Sequence, residues 1–206
     1  MSSNTARLFV IAAPSGAGKT TLVHALVTRH PELRFSISYT TRAKRSNEAD
    51  GVDYLFVGED EFTTLRDDGA LLEYAEVFDN HYGTSREQVR EHLETGRNVI
   101  LEIDWQGAQQ VRKSMPECIT IFIMPPSLAE LERRLRDRRT DRPDVIDRRL
   151  RDAVSDISHW QEFDYVVIND DLETAVAELE AVLDGRGESI ATNSVALARA
   201  VKGIIG

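Results

Sequence analysis

A chain of 206 residues, 41% apolar and 29% charged, has the make-up of one soluble globular domain with room for an inserted lobe. Intrinsic disorder and a collagen-like architecture are excluded. Acids outnumber bases 35 to 25, and the net charge of −10 argues against nucleic-acid binding, so any anionic ligand needs a local basic site.

The lone cysteine, Cys118, fits a reducing compartment, and its bland role is a small buried apolar residue. No apolar run approaches the roughly 20 residues that span a bilayer, so no membrane partner is expected and a cytoplasmic location is. In chain order, Leu8-Phe9-Val10-Ile11-Ala12 reads as a strand covered on both faces, followed by a helix from Gly18 to His30. Between them stands Ala13-Pro14-Ser15-Gly16-Ala17-Gly18-Lys19-Thr20, the pattern Gly-x4-Gly-Lys-[Ser/Thr] with alanine at the first glycine position. Such a loop turns its amides inward onto phosphate oxygens, aided by the helix dipole. Lys19 would then reach the β and γ phosphates, and the Thr20 hydroxyl would ligate Mg²⁺. Ala13 is tolerable there if its φ stays below zero.

From about Ser38 to Tyr82 the alternation of strand and helix breaks. This stretch carries the basic cluster Arg42-Ala43-Lys44-Arg45 and strand-like runs at Val52 to Val57 and Leu71 to Phe78, and reads as an inserted lobe with its own small sheet. Asn98 to Ile103, Cys118 to Met124 and Tyr165 to Ile168 are further short apolar runs separated by helical segments, the signature of a parallel sheet with right-handed crossovers. Ser85 with Gln88 and Ser127 with Glu130 have capping-box spacing, and Asp171 can cap the last core helix. Glu130 to Asp152 is a charge-dense helix, turn and helix, the second opened by Pro143, and is expected to stand over a cleft. The tail from Ser189 places Ile190, Leu197, Val201 and Ile204 at helical spacing. It is read as packing on its own body, with a contact between copies in a homo-oligomer as the alternative.

Five runs point further. Ala-Pro-Ser-Gly-Ala-Gly-Lys-Thr, Ser-Tyr-Thr-Thr-Arg, Phe-Asp-Asn-His-Tyr-Gly-Thr-Ser, Glu-Ile-Asp-Trp-Gln-Gly-Ala and Ile-Asn-Asp-Asp occur in that order. Together they make the chain resemble guanylate kinases from Leu8 to Leu183. The resemblance implies an α/β fold: a three-layer P-loop core with a parallel sheet (1–37 and 89–206), a helical lid at about 134–149, and a small α+β lobe at 38–88 that binds GMP. It implies transfer of the γ-phosphate of ATP to GMP, with dGMP open as a second acceptor, and Mg²⁺ accompanying the ATP. ATP would be held by Ala13, Pro14, Ser15, Gly16, Ala17, Gly18, Lys19, Thr20, Thr21 and Asn169. Arg42, Arg45, Tyr54 and Tyr82 would hold the GMP phosphate, and Ser38, Glu73 and Thr84 would read guanine with Asp104 nearby. Lys19, Arg42, Arg134, Arg138 and Arg149 would act on the transferring phosphate, with Thr20 and Glu102 at the metal.

The residue types suit these roles. Two arginines and two tyrosine hydroxyls answer a dianionic phosphate. A carboxylate only accepts, so Glu73 matches the N1–H and N2–H₂ donors of guanine and opposes the bare N1 lone pair of adenine. Taken singly, Tyr54 reads as a strand-face aromatic and Arg45 as a solvated charge; it is their joint occurrence that points to phosphate. Glu102 and Asp104 leave one face of their strand, where the bland alternative is an acid capping backbone amides. Glu102 stands where the family often has aspartate, and Arg139 where it usually has glycine. Arg133 with Asp137 and Asp147 with Arg151 are spaced for local ion pairs. Two rivals stay open: a sibling P-loop kinase for another phosphorylated sugar or nucleotide, and a guanylate-kinase-like binding module without catalysis.

Overall fold

A computed structural model describes residues 6–46, 48–77, 79–137 and 143–205. In chain order its elements are β1 (Leu8–Ala12), α1 (Lys19–Arg29), β2 (Arg34–Phe35), β3 (Tyr39–Thr40), β4 (Leu55–Phe56), α2 (Glu59–Asp67), β5 (Leu71–Val77), β6 (Asn80–Ser85) and α3 (Arg86–Glu94). Then come β7 (Val99–Ile103), α4 (Trp105–Ser114), β8 (Ile119–Met124), α5 (Leu128–Asp137), α6 (Pro143–Ile157), β9 (Tyr165–Ile168), α7 (Leu172–Leu183) and α8 (Val195–Ile205). A five-stranded sheet runs in the order β2-β7-β1-β8-β9, and a four-stranded sheet in the order β4-β3-β6-β5. This is the α/β architecture with an added small sheet that the alternating pattern predicts.

The chain divides into two compact units. One takes Pro31–Ile119 with the chain up to Val10; the other takes Ile11–His30 with Thr120 onward. In the first unit β2 and β7 pair parallel, Arg34 opposite Val99 and Phe35 opposite Ile100. The small sheet of this unit is mixed: β3 runs parallel to β4 but antiparallel to β6, which pairs antiparallel with β5. In the second unit β8 and β9 pair parallel from Ile121–Tyr165 to Met124–Ile168. β1 is buried along its whole length and β8 from Thr120 onward, which accounts for their uninterrupted apolar runs. Phe9, Ile11, Phe122 and Ile123 are among the fully buried side chains.

Helix starts follow the expected chemistry. Ser85 Oγ accepts from the Gln88 amide at 3.2 Å, Ser127 Oγ from Glu130 at 3.0 Å, and Asp171 Oδ1 from Thr174 at 2.9 Å. These bonds satisfy first-turn amides that lack intrahelical partners. Glu130 does not close the reciprocal half of its predicted box, because its carboxylate is held by Arg133 and Arg134 instead. That pairing drives the Glu130 carboxyl down to about 2. The predicted Arg133–Asp137 pair forms at 2.7 Å, and Pro143 opens α6.

The differences from the sequence expectation are local. The strand read over Val52 to Val57 shrinks to Leu55–Phe56. Upstream, Asp53 Oδ2 accepts from the Ala49 amide and Asp50 Oδ1 from the Phe56 amide, so aspartates replace ladder bonds by a turn. Helix α2 escapes the periodicity reading because Phe62 is its only buried residue. Its first turn carries Glu59, Asp60 and Glu61, which suit the helix dipole. In the tail, Ile190 belongs to a separate 3₁₀ turn (Glu188–Ile190), and α8 buries Leu197 and Val201. Among the described residues no helix is long and apolar enough to cross a membrane.

Candidate functional site

Both units carry candidate residues. In the second unit, the loop after β1 turns through two left-handed glycines, Gly16 and Gly18, both at φ 90°. An L side chain rarely adopts that conformation, so glycine is required by backbone as well as by space. A Cβ at Gly16 would stand 2.9 Å from Leu135 Cδ2, and one at Gly18 would collide with Asn169 Nδ2. Ala13, at the first glycine position of the motif, is not among the positive-φ residues, so its methyl carries no backbone strain. Ala17 is fully buried, whereas Thr20 and Thr21 are exposed at the start of α1. Lys19 is the first residue of α1, placed as the motif requires.

Asn169 and Arg134 brace this loop. The Asn169 side chain is buried and donates to the Ala17 carbonyl at 2.7 Å, while its own amide donates to Met124 at the end of β8. Arg134 donates to the Asn169 carbonyl at 3.0 Å and the Ala17 carbonyl at 3.4 Å, and its Nε holds Glu130 at 2.8 Å. Both residues thus sit against the loop after β1, holding its Ala17 carbonyl. Arg149 lies half-buried on α6. Arg138, Arg139 and Phe78 fall outside the described residues.

In the first unit, the anion-binding candidates converge. Arg42 lies over the rings of Tyr54 and Phe56, 5.3 and 5.8 Å from their centroids, and Tyr54 meets Tyr82 edge-on at 5.9 Å. Arg42 Nη2 donates to Glu48 Oε1 at 2.7 Å, and the Arg45 amide donates to Glu48 Oε2 at 2.8 Å. The Arg45 guanidinium is mostly exposed, 3.6 Å from Glu48. Burial works to lower the Arg42 pKa, but hydrogen bonds to Glu48 and Tyr82 outweigh it and hold the guanidinium above its ordinary value. The Arg42 bond pulls the Glu48 carboxyl below its ordinary value against the effect of burial. Burial, followed by the negative charge of Glu102, pushes the Tyr54 phenol up to about 12, so it stays a proton donor at neutral pH. Glu48 is the functional neighbour that sequence reasoning missed; its one signal is a position three residues beyond Arg45.

Of the base-reading candidates, Glu73, Thr84 and Asp104 form a second cluster in the same unit. Glu73 is 3% exposed on β5, and Thr84, fully buried on β6, donates to its Oε1 at 2.6 Å. Their strands set them directly opposite, Glu73 facing Thr84 in the ladder register. Gly107 makes room for the carboxylate, since a Cβ there would lie 2.5 Å from Glu73 Oε2 and 3.2 Å from Asp104 Oδ1. Asp104 caps α4 by accepting from the Gly107 amide at 2.7 Å, so the capping role weighed for the strand-end acids is filled here. Ser38 accepts the Leu55 amide through its carbonyl, beside β3. Glu102 is half-buried on β7. Among the described residues no group of three His, Cys, Asp or Glu could hold a metal ion.

Comparison with known proteins shows the family of the chain. The family model described as "Guanylate kinase" matches residues 5–186. The guanylate kinase of Alkalilimnicola ehrlichii is 50% identical over 199 residues, covering 97% of this chain and 98% of its own. That of Pseudomonas fluorescens (strain Pf0-1) is 52% identical over 182 residues, with 88% of each covered. The crystal structure of guanylate kinase from Anaplasma phagocytophilum superposes with a TM-score of 0.75 at 32% identity, covering 97% of this chain and 95% of that one.

Proposed function

The chain belongs to the guanylate kinase family, and on that footing we propose that it transfers the γ-phosphate of ATP to GMP, giving ADP and GDP. The observation that carries the choice of acceptor is the buried Glu73 carboxylate held by Thr84. A buried acid is costly unless it meets donors, and guanine offers two adjacent ones on its N1–N2 edge. Arg42, Arg45, Tyr54 and Tyr82 are assigned to the GMP phosphate, and Ser38 and Asp104 to the guanine beside Glu73 and Thr84. The loop from Ala13 to Thr21 is assigned to the ATP phosphates.

The acceptor oxygen needs no general base, because a phosphate monoester with a second pKa of about 6 is already ionised at pH 7. What the reaction demands is in-line positioning and neutralisation of charge spreading over the transferring group. Lys19, Arg42, Arg134, Arg138 and Arg149 are the proposed cations. Arg134 and Asn169 also engage the Ala17 carbonyl, and the loop amides are the groups proposed to face phosphate.

Mg²⁺ with ATP belongs to the same proposal. The residues fit it: a magnesium ion that travels with phosphate oxygens and water needs only one or two protein oxygens, and Thr20, an exposed residue at the start of α1, carries a hydroxyl. Glu102 would steer it through water. When bound, the ion would neutralise the β and γ oxygens. The lobe boundaries 38–88, the lid at about 134–149 and a cytoplasmic location are further parts of this reading. The test is ADP release in the presence of GMP, AMP, CMP or UMP, with and without a chelator. GMP alone should support rapid turnover, and chelation should abolish it. Equal turnover with AMP would remove the assignment of Glu73.

A further inference from the structure

We propose that Gln110 is a positioning residue for guanine recognition, clamping the backbone of Tyr74 and thereby fixing the adjacent Glu73; the inference rests on the GMP reading above. β5 is the outer strand of the small sheet, so the backbone groups it turns away from β6 lack a ladder partner. At Tyr74 the partner is a side chain: Gln110 Oε1 accepts the Tyr74 amide at 3.2 Å, and Gln110 Nε2 donates to the Tyr74 carbonyl at 2.7 Å. A primary amide presents one donor and one acceptor side by side, so it imitates one residue of a neighbouring strand.

Gln110 lies three residues beyond Gly107, which puts the two on one face of α4. Gly107 lets the helix approach the Glu73 carboxylate, and Gln110 fixes the next residue of the strand. Such a restraint has a purpose here, because the β5–β6 register shifts between Leu71 and Glu73. In a strand, a slip of one residue turns a side chain to the opposite face, and Glu73 would leave Thr84. The Tyr74 side chain itself is 45% exposed, so the clamp holds a backbone position rather than a packed ring.

The test uses Gln110→Met, which keeps the length and loses both hydrogen bonds, and Gln110→Glu, which keeps an acceptor for the Tyr74 amide. For Gln110→Met the KM for GMP should rise about tenfold, with kcat within about threefold and the KM for ATP within about twofold of wild type. The preference for GMP over IMP, which lacks the N2 amine, should narrow about fivefold or more. Amide hydrogen exchange should quicken at Tyr74 by about tenfold or more and stay unchanged in β1 and β8. Gln110→Glu should fall between Gln110→Met and wild type. Exchange that quickens at Tyr74 with GMP constants and GMP/IMP preference unmoved would overturn the inference, leaving Gln110 a structural brace. So would a joint loss of ATP and GMP affinity with protection lost throughout. A wild-type protein that fails to phosphorylate GMP would overturn the function itself, so the two failures are distinct.

Discussion

Replacing Glu73 by glutamine changes one atom of the carboxylate proposed to read the base, and its bond to Thr84 sets the direction of the effect. Thr84 donates to Oε1 at 2.6 Å, so in Glu73→Gln it retains the amide oxygen at that position and the amide nitrogen takes the place of Oε2. Glutamine fits the space beside Gly107 as glutamate does, so folding should survive. A guanine donor then meets a donor, and a charge-assisted hydrogen bond worth about 1.5–3 kcal/mol is lost. That corresponds to roughly 10–150-fold in kcat/KM for GMP. AMP, whose N1 lone pair can face the new amide, should lose nothing, so the GMP-over-AMP ratio should shrink at least about tenfold. The assay is steady-state ADP release with each acceptor, alongside ATP affinity measured without acceptor, which should stay near wild type. A ratio held within about threefold would show that Glu73 is a buried structural acid and refute the reasoning.

Lys19→Met removes the charge proposed to lie over the β and γ phosphates, and kcat should fall by several orders of magnitude while Tm changes little; turnover within about tenfold of wild type would dismiss the assignment. Gly18→Ala forces a methyl into a left-handed position at φ 90° and against Asn169, at a backbone cost of about 1–2 kcal/mol. Calorimetry should show a lower Tm and weaker ATP binding with GMP binding unchanged. The Glu48 carboxyl sits below its ordinary value through Arg42, so its folded form favours the charged state. The stability it contributes is present above the unfolded carboxylate pKa of about 4.3 and lost as pH falls through its lower folded value. Urea midpoints of wild type and Glu48→Gln should therefore differ at neutral pH and converge in strong acid; a constant difference would contradict that linkage.

Four of the five strands of the large sheet were legible because they announce themselves, whereas β2, two half-buried residues long, was not. Leu8–Ala12 and Tyr165–Ile168 are apolar runs bounded by turn residues, and the structure keeps those limits. The phosphate loop was legible because glycine spacing states a backbone requirement, which Gly16 and Gly18 meet. The lobe was read less well, since β3 and β4 are two residues each and their pairing is set by residues far along the chain. The GMP-site candidates came from quoted motifs rather than periodicity. Their supports stayed hidden: Glu48 reaches back to Arg42, and Gly107 gives Glu73 room, by contacts that no short-range pattern encodes. Asn169 was expected among the ATP contacts, and its buried bond to the Ala17 carbonyl is a tertiary fact of the same kind.

If this protein passes a phosphate from ATP to GMP through a guanine-reading carboxylate, it must choose its acceptor by the base. With saturating MgATP, initial rates of ADP formation would be measured for GMP, AMP, CMP and UMP on the same preparation. The kcat/KM for GMP should exceed each of the others by at least about a hundredfold, as expected where a buried polar group left unpaired opposes the wrong base. Rates for all four acceptors within about tenfold of one another, or no nucleotide-dependent ADP formation at all, would contradict it.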